Sequence, residues 1–486
     1  MEQKSLFKNT IYKAILSLFN IVIPIIIGPY IVRLLDIELY GIYNKVFSEF
    51  QIFLTFASFG IYTFGVREIS KIRDDKEKVA KLFSNLCLIS FITNFIVMII
   101  YIIYSLISSS GITTTIYLIM IIQIIGNIYY IEFVNEALEN YRFITIKTII
   151  VKLLYFLSLI LFVRKSDDII IYSVIICLTV FLNNIISFIY AKKHIKFNFE
   201  EIEIKKYLKP MFLILIIANA DLLYSQLDRV MLGKLVSDVS VTYYYIPYFL
   251  VSTIAAIPYS IINVSIPRLT YMLKNKSKEE YKQQLNKTLS SLLFIIVPMC
   301  LGMFVLSKEI ILIYAGEKYS FIYPILMLSC LIRISLSIES VFVNLVMYPN
   351  NQEKQILKIC LSYGLLNLVL NSFLVVLKIF TPFTALITTS VAELLYVLTQ
   401  KIYAKKKLDI DLKIFENNKR YFVLGLMFIP ISLLIRMINL SFILNTIVII
   451  IVCSLFYVGV LYLMKDENLL LILRKLKNKF VRCKNG

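Results

Sequence analysis

Polar and ionisable side chains recur inside stretches that are otherwise apolar, and these are the residues whose chemistry needs an explanation. Between positions 41 and 65, Asn44, Ser48, Gln51, Thr55, Ser58 and Tyr62 stand at i, i+4, i+7, i+11, i+14 and i+18. That spacing places them on one face of a helix. Lys45 and Glu49 flank the stripe four residues apart and are placed to pair. A polar stripe in an apolar helix faces either water in a cavity or hydrogen-bonding partners on neighbouring helices. The cavity is the expectation taken forward. Further along, Glu132, Glu136 and Glu139 share a face, with Asn135 nearby. Asp221, Ser225 and Asp228 fall at i, i+4 and i+7, with Asn219 and Arg229 adjacent. Arg333 lies in the middle of an apolar run, Glu339 follows on a different face, and Glu393 sits in a later run.

These residue types suit an anionic, sugar-bearing cargo. Buried arginines offer bidentate contacts to phosphate oxygens. Hydroxyl, amide and aromatic groups suit sugars, and the chain has 33 tyrosines to supply some of them. Buried carboxylates can take up a proton, because burial disfavours their charge. The expected cavity residues are therefore Asn44, Lys45, Ser48, Glu49, Gln51, Thr55, Asp221, Ser225, Asp228, Arg229 and Arg333. The expected ion-coupling carboxylates are Glu132, Glu136, Asp221, Glu339 and Glu393. Arg33 and Lys152 lie near the ends of apolar runs, where long side chains reach back toward water.

Other chemistries find no support. There is no Gly-x4-Gly-Lys-Ser/Thr phosphate loop. His194 is the single histidine and lies in a basic segment, so a metal site or a histidine-based triad is not expected. Asp409-Ile410-Asp411 and Asp74-Asp75 read as solvated loop charge. Six of the seven cysteines (Cys87, Cys177, Cys300, Cys330, Cys360 and Cys453) lie in apolar runs, and Cys483 lies near the C-terminus. None forms a Cys-x-x-Cys pair, so they read as packing residues. No catalytic residue, metal or cofactor is expected.

The elements that must position these groups are helices in a membrane. Apolar residues make up 59% of the 486, and the mean hydropathy is +0.80. Apolar runs long enough to cross a bilayer fall near 11–35, 41–65, 82–106, 114–137, 146–163, 169–190, 209–233, 240–265, 288–307, 321–347, 356–378, 382–403, 420–438 and 442–464. That makes about fourteen spans, all helical, because open sheet cannot exist in lipid. The run after Lys4 and Lys8 is too long for a signal peptide and reads as the first span.

Charge then sorts by side. With the N-terminus inside, the segments 67–81, 142–152, 192–209, 268–287, 401–420 and 465–484 are cytoplasmic. They hold 35 of the 51 Lys and Arg residues, a strong positive-inside signal. This accounts for the net charge of +20 without a nucleic-acid partner. It also implies attraction to anionic inner-leaflet lipid. The outer loops are too short to house a catalytic domain.

The chain also repeats weakly. Tyr30 to Leu35 followed by Tyr40-Gly41-Ile42-Tyr43 parallels Leu227 to Gly233 followed by Tyr243-Tyr244-Tyr245. Gly65-Val66-Arg67 parallels Ile266-Pro267-Arg268. The expected organisation is an N-terminal lobe over 1–208, a C-terminal lobe over 209–408, and two further spans with a basic tail over 409–486. Repeats of this kind usually flank a midplane site. Pro24, Pro29, Pro247, Pro258 and Pro298 interrupt spans, where they kink helices for gating or for packing.

The stretches Arg33 to Tyr43 and Phe59 to Glu68 resemble the opening signature of the polysaccharide transporter family, the Wzx-type repeat-unit flippases for O-antigen and capsule. That family belongs to the multidrug/oligosaccharidyl-lipid/polysaccharide exporter superfamily. Asp228 to Gly233 looks like its second-half counterpart. The resemblance covers the chain in span number and loop pattern, but only these stretches are motif-grade. It implies an all-α polytopic fold of two six-helix lobes about a central cavity, alternating access, and an undecaprenyl-pyrophosphate-linked oligosaccharide as cargo. It also implies a bacterial inner membrane, and polysaccharide polymerase or assembly proteins as neighbours. The family usually has Gly where this chain has Asp36, which bears on the local turn. Arg33 and Arg67 are expected to be helix-end and topology residues.

Three other readings remain. A drug or cation antiporter of the same superfamily would suit twelve spans. A polymerase or ligase would need a large outer loop. A flippase for a peptidoglycan precursor or a teichoic-type lipid would use the same physics.

Overall fold

The computed structural model describes residues 6–474 apart from Asn219 and Asn439; the side chains of residues 6–11, 13–14, 217–225 and 274 lie outside the described set. Every regular element in it is helical. The chain divides into two compact units, Met1–Tyr245 and Ile246–Gly486.

The first unit begins with α1 (Leu6–Leu34), α2 (Ile37–Ser58), α3 (Ile61–Ile72), α4 (Lys76–Ser108) and α5 (Gly111–Ile128). It continues with α6 (Glu132–Ala137), α7 (Tyr141–Phe162), α8 (Ile169–His194), α9 (Ile204–Ala218) and α10 (Ala220–Leu235). Its centre is α2, which packs on α4, α5 and α10. Asp36 starts α2 as an N-cap, accepting from Glu38 N at 2.9 Å and Leu39 N at 3.1 Å. A carboxylate at a helix start satisfies free N–H groups and favours the dipole. The Gly-to-Asp departure at this turn thus has a structural role.

The second expected span, 41–65, lies within one candidate crossing, Ile37–Ile72, that is jointed into the two helices α2 and α3. Phe59 and Gly60 both take left-handed backbone, at φ 46° and 70°. Glycine does this without strain. A Cβ at Gly60 would also stand 2.7 Å from Met211 O of α9. The carbonyl of Ala57 at this break accepts from Thr93 Oγ1 at 2.8 Å and Asn94 Nδ2 at 3.2 Å, both on α4. The break is therefore hydrogen-bonded, as buried backbone must be.

Helix α11 (Asp238–Asn275) follows, carrying Pro247, Pro258 and Pro267. The second unit contains α12 (Lys278–Val305), α13 (Ser307–Ala315), α14 (Tyr323–Val341), α15 (Glu353–Val376) and α16 (Pro382–Tyr403). It ends with α17 (Lys419–Leu426), α18 (Phe428–Arg436) and α19 (Phe442–Leu463). Its core runs along α12, where Leu289, Leu292, Leu293, Ile296, Val297 and Cys300 are all buried. Helices α14 and α17 pack on α12, and α16 packs on α14. At one end of α12, Asp466 is fully buried. It accepts from Arg420 Nη2 at 2.8 Å and Tyr421 Oη at 2.9 Å.

Among the described residues, twelve helices, some of them jointed, are long and apolar enough to cross a membrane. The protein is a multi-pass membrane protein. Leu, Ile and Phe side chains of α4 such as Phe95, Ile99 and Ile103 stay exposed, as the lipid-facing side of a span requires. The expected spans 209–233 and 420–438 are not among the twelve. Their described residues are helical too, in α9 and α10 on either side of Asn219, and in the short helices α17 and α18.

Candidate functional site

The polar stripe of α2 begins among neighbouring helices. Asn44 is buried and donates from Nδ2 to Tyr40 O at 2.9 Å and to Thr242 Oγ1 of α11 at 2.8 Å. Ser48, also buried, donates back to Asn44 O at 2.8 Å. Gln51 and Thr55 are half-buried, and Thr55 Oγ1 donates to Gln51 O at 2.8 Å. Ser58 meets Asn127 of α5 at 3.5 Å.

Lys45 and Glu49 do not pair with each other, contrary to their four-residue spacing. Lys45 Nζ reaches Asp238 Oδ1 at 2.8 Å, at the first residue of α11. Glu49 is 3% exposed, and its Oε2 accepts from Tyr117 Oη of α5 at 2.6 Å and from Tyr104 Oη of α4. Its other oxygen, Oε1, is buried with no hydrogen-bond partner. Lys234 Nζ, near the end of α10, donates to Tyr104 Oη at 2.9 Å. An exposed ammonium, a phenol and a buried carboxylate are thus joined in one chain of hydrogen bonds. The physical reason for the changed pairing is the company Glu49 keeps. Two phenol donors stabilise a buried carboxylate without burying a second charge beside it.

In α10, Asp228 is fully buried and accepts from Tyr244 Oη at 3.0 Å. Arg229 is buried too; its guanidinium lies 5.2 Å from the Tyr245 ring and 3.4 Å from Gln226 Oε1. Asp221 and Ser225 fall on the same helix, but their side chains are outside the described residues.

The three glutamates after residue 131 serve different partners. Glu132 forms an ion pair with Lys147 of α7 at 3.0 Å, and Ser187 of α8 bonds to both groups. Lys147 is 5% exposed. Glu136 accepts from Tyr62 Oη at 2.7 Å. Glu139 lies past the end of α6 at φ 56° and pairs with Arg73 at 2.9 Å.

In the second unit, Arg333 of α14 is half-buried and forms no ion pair among the described residues. Its guanidinium stacks 4.8 Å from the Tyr259 ring, its Nη1 lies 3.5 Å from Ser252 Oγ, and its Nε is buried without a partner. Such a cation keeps its capacity for an anion. Glu339 and Glu393 are buried on α14 and α16.

Several members of these groups escaped the sequence reading: Tyr104, Tyr117, Lys234, Asp238 and Thr242 around α2, Lys147 and Ser187 around Glu132, and Tyr259 around Arg333. Each meets its partner across a helix–helix contact, which periodicity along one helix does not encode. Lys147 carried a signal of its own, as a lysine inside an apolar run. Among the described residues, no group of three His, Cys, Asp or Glu side chains could hold a metal ion.

A helical, multi-pass fold with charged groups placed inside its spans defines a membrane transporter. Residues 6–273, more than half of the chain, match the family described as "Polysaccharide biosynthesis protein", and the chain belongs to that family. It is a membrane transporter of polysaccharide biosynthesis and not an enzyme. A protein of Escherichia coli (strain K12) named "Putative O-antigen transporter" is 24% identical over 372 residues, 75% of this chain and 89% of the relative. Among solved structures, "Lipid II flippase MurJ, inward closed conformation" superposes with a TM-score of 0.69 at 16% identity. That match covers 93% of this chain and all of the other, and it shows a shared fold.

Proposed function

We propose that the chain flips an undecaprenyl-pyrophosphate-linked oligosaccharide repeat unit across a bacterial inner membrane by alternating access, for O-antigen, capsule or another surface polysaccharide. The observation that carries this reading is Arg333. It is an arginine within a membrane-crossing helix, stacked on Tyr259 and with no carboxylate partner among the described residues. A cation left uncompensated in a span is costly, and an anionic cargo repays the cost. Family membership and the name of the E. coli relative support a lipid-linked sugar as that cargo.

Fourteen crossings fit this function better than twelve. Leaving out 209–233 would put the basic segments 268–287 and 401–420 outside, against the positive-inside rule. Both termini then lie in the cytoplasm. We take 1–208 and 209–408 as the two related halves, with the last two spans appended. The remaining expected residues, Asn44, Lys45, Ser48, Glu49, Gln51, Thr55, Asp221, Ser225, Asp228 and Arg229, belong to the proposed cargo path. Reversible proton uptake is a role for carboxylates placed within the spans. Glu132 suits it least, being held by Lys147. Glu136, Asp221, Glu339 and Glu393 stay as coupling candidates.

The test is a deletion strain. The expected result is lipid-linked repeat units accumulating on the cytoplasmic leaflet while surface glycan disappears, both reversed by restoring the gene. Normal glycan with altered drug or salt sensitivity would move the function to an antiporter. Accumulation of a peptidoglycan precursor would move it to that lipid instead.

A further inference from the structure

We infer that the groove between α7 and α8 is a binding site for an anionic phospholipid, with its headgroup on Arg142 and an acyl chain along Ile146 and Ile150. The groove lies within the first unit and has a volume of about 520 Å³, inside the range of small-ligand sites. Its wall is apolar. Ile146, Ile150 and Ile186 are 45%, 53% and 37% exposed there, a surface that belongs against hydrocarbon and not water. Behind that wall Phe143 and Tyr190 stack at 3.6 Å.

The charges of the groove decide what binds. Lys147 lines it, but its ammonium is neutralised by Glu132 at 3.0 Å. Glu139 lines it, neutralised by Arg73 at 2.9 Å. Arg142 alone is left. It is exposed in the first turn of α7, and no carboxylate pairs with it among the described residues. An apolar trough ending at a single uncompensated guanidinium matches an amphiphile with an apolar chain and one net negative headgroup. The position matches as well. Arg142 opens a segment that the charge distribution assigns to the cytoplasmic side, the leaflet where anionic lipids attract basic residues. The ion pairs on either side fix the geometry, so Arg142 presents its charge next to an already ordered wall. This inference does not depend on the identity of the transported cargo.

The test uses the full-length protein purified in detergent, with phosphatidylglycerol or phosphatidylcholine added at matched concentrations. Thermal melting and native mass spectrometry provide the readouts. Wild type is expected to retain phosphatidylglycerol about fivefold better than phosphatidylcholine, the preference one basic residue near a surface supplies, and to melt higher with it. Arg142→Glu, an exposed position that leaves the core intact, is expected to lose the preference. Ile150→Trp, which fills the trough, is expected to lower retention of phosphatidylglycerol while Arg142 is unchanged. Equal retention of the two lipids by wild type would overturn the site, and so would a preference that survives Arg142→Glu. In a third arm, undecaprenyl phosphate displacing phosphatidylglycerol at equimolar amounts would overturn the phospholipid assignment and give the groove to a polyprenyl chain.

Discussion

The hydroxyl of Tyr117 donates to Glu49 Oε2 over 2.6 Å, from one buried side chain to another, while Glu49 Oε1 meets no hydrogen-bond partner among the described residues. The same Oε2 also accepts from Tyr104, whose oxygen accepts in turn from Lys234 at 2.9 Å. One carboxylate oxygen is saturated and the other is open. A neutral amide in place of this carboxylate could accept both phenol bonds through one oxygen, so the charge can be removed without rebuilding the site.

Glu49→Gln fixes the neutral state in nearly the same shape. If Glu49 takes up a proton in each cycle, transport by this variant falls about tenfold or more, equivalent to roughly 1.4 kcal/mol of barrier. The remaining activity no longer varies with external pH, and the amount of protein in the membrane stays unchanged. Transport that keeps its wild-type pH dependence in Glu49→Gln would remove Glu49 from the coupling step.

Arg333 offers a different test, because its charge is uncompensated but its ring contact is not electrostatic alone. Arg333→Ala is expected to lower transport at least about tenfold with normal abundance. Arg333→Lys should recover only part of it, since an ammonium is a point charge and lacks the planar fork that meets phosphate bidentately. A measurement of repeat-unit flipping in inverted vesicles separates the cases. Full activity in Arg333→Ala would take the residue off the cargo path.

Lys147 and Glu132 form the buried pair that closes the inside of the α7–α8 groove, with Ser187 bonded to both. Removing one partner leaves the other charge buried and alone, which costs about 3–5 kcal/mol. Lys147→Met is therefore expected to lower the melting temperature sharply. The double variant Lys147→Met/Glu132→Leu is expected to regain most of that loss, because no charge is stranded. A double variant as unstable as the single one would show that the pair itself, and not the stranded charge, sets stability.

These groups differ in how far the sequence revealed them. The membrane class, the helical spans and the carboxylates within them follow from hydropathy and from charges in apolar runs, both of which are local. Asn44, Ser48 and Ser58 lie on α2 and Tyr62 on α3, and the single expected span across Phe59–Gly60 is one crossing with a joint that the spacing does not show. The glycine was the available signal, and a left-handed pair there ends one helix and begins another. The same spacing set Lys45 beside Glu49. The real partners, Asp238 for one and Tyr104 and Tyr117 for the other, come from sequence separations of 55 residues or more. Four-residue spacing measures proximity on one helix, and these side chains point to its neighbours. The expected span 420–438 is divided at Met427 into the shorter helices α17 and α18, a break that hydropathy along the chain does not mark.

The Tyr40-Gly41 step shows how one small residue holds that arrangement. A Cβ on Gly41 would lie 2.8 Å from Val239 N and 2.9 Å from Asp238 C, which is backbone and cannot rotate away. The close approach of α2 to the start of α11 brings Asp238 to Lys45 at 2.8 Å and Thr242 to Asn44 at 2.8 Å. Gly41→Ala must push the two helices apart, at a cost of about 1–3 kcal/mol, and Gly41→Leu more. Melting temperature in detergent should fall in that order. Asn44→Ala should add little in the Gly41→Leu background, because the bond it removes is already broken there, and non-additivity of this kind marks residues that share one contact. Full additivity of the two changes would mean that α2 and α11 meet through other side chains and that Gly41 is not what sets their separation.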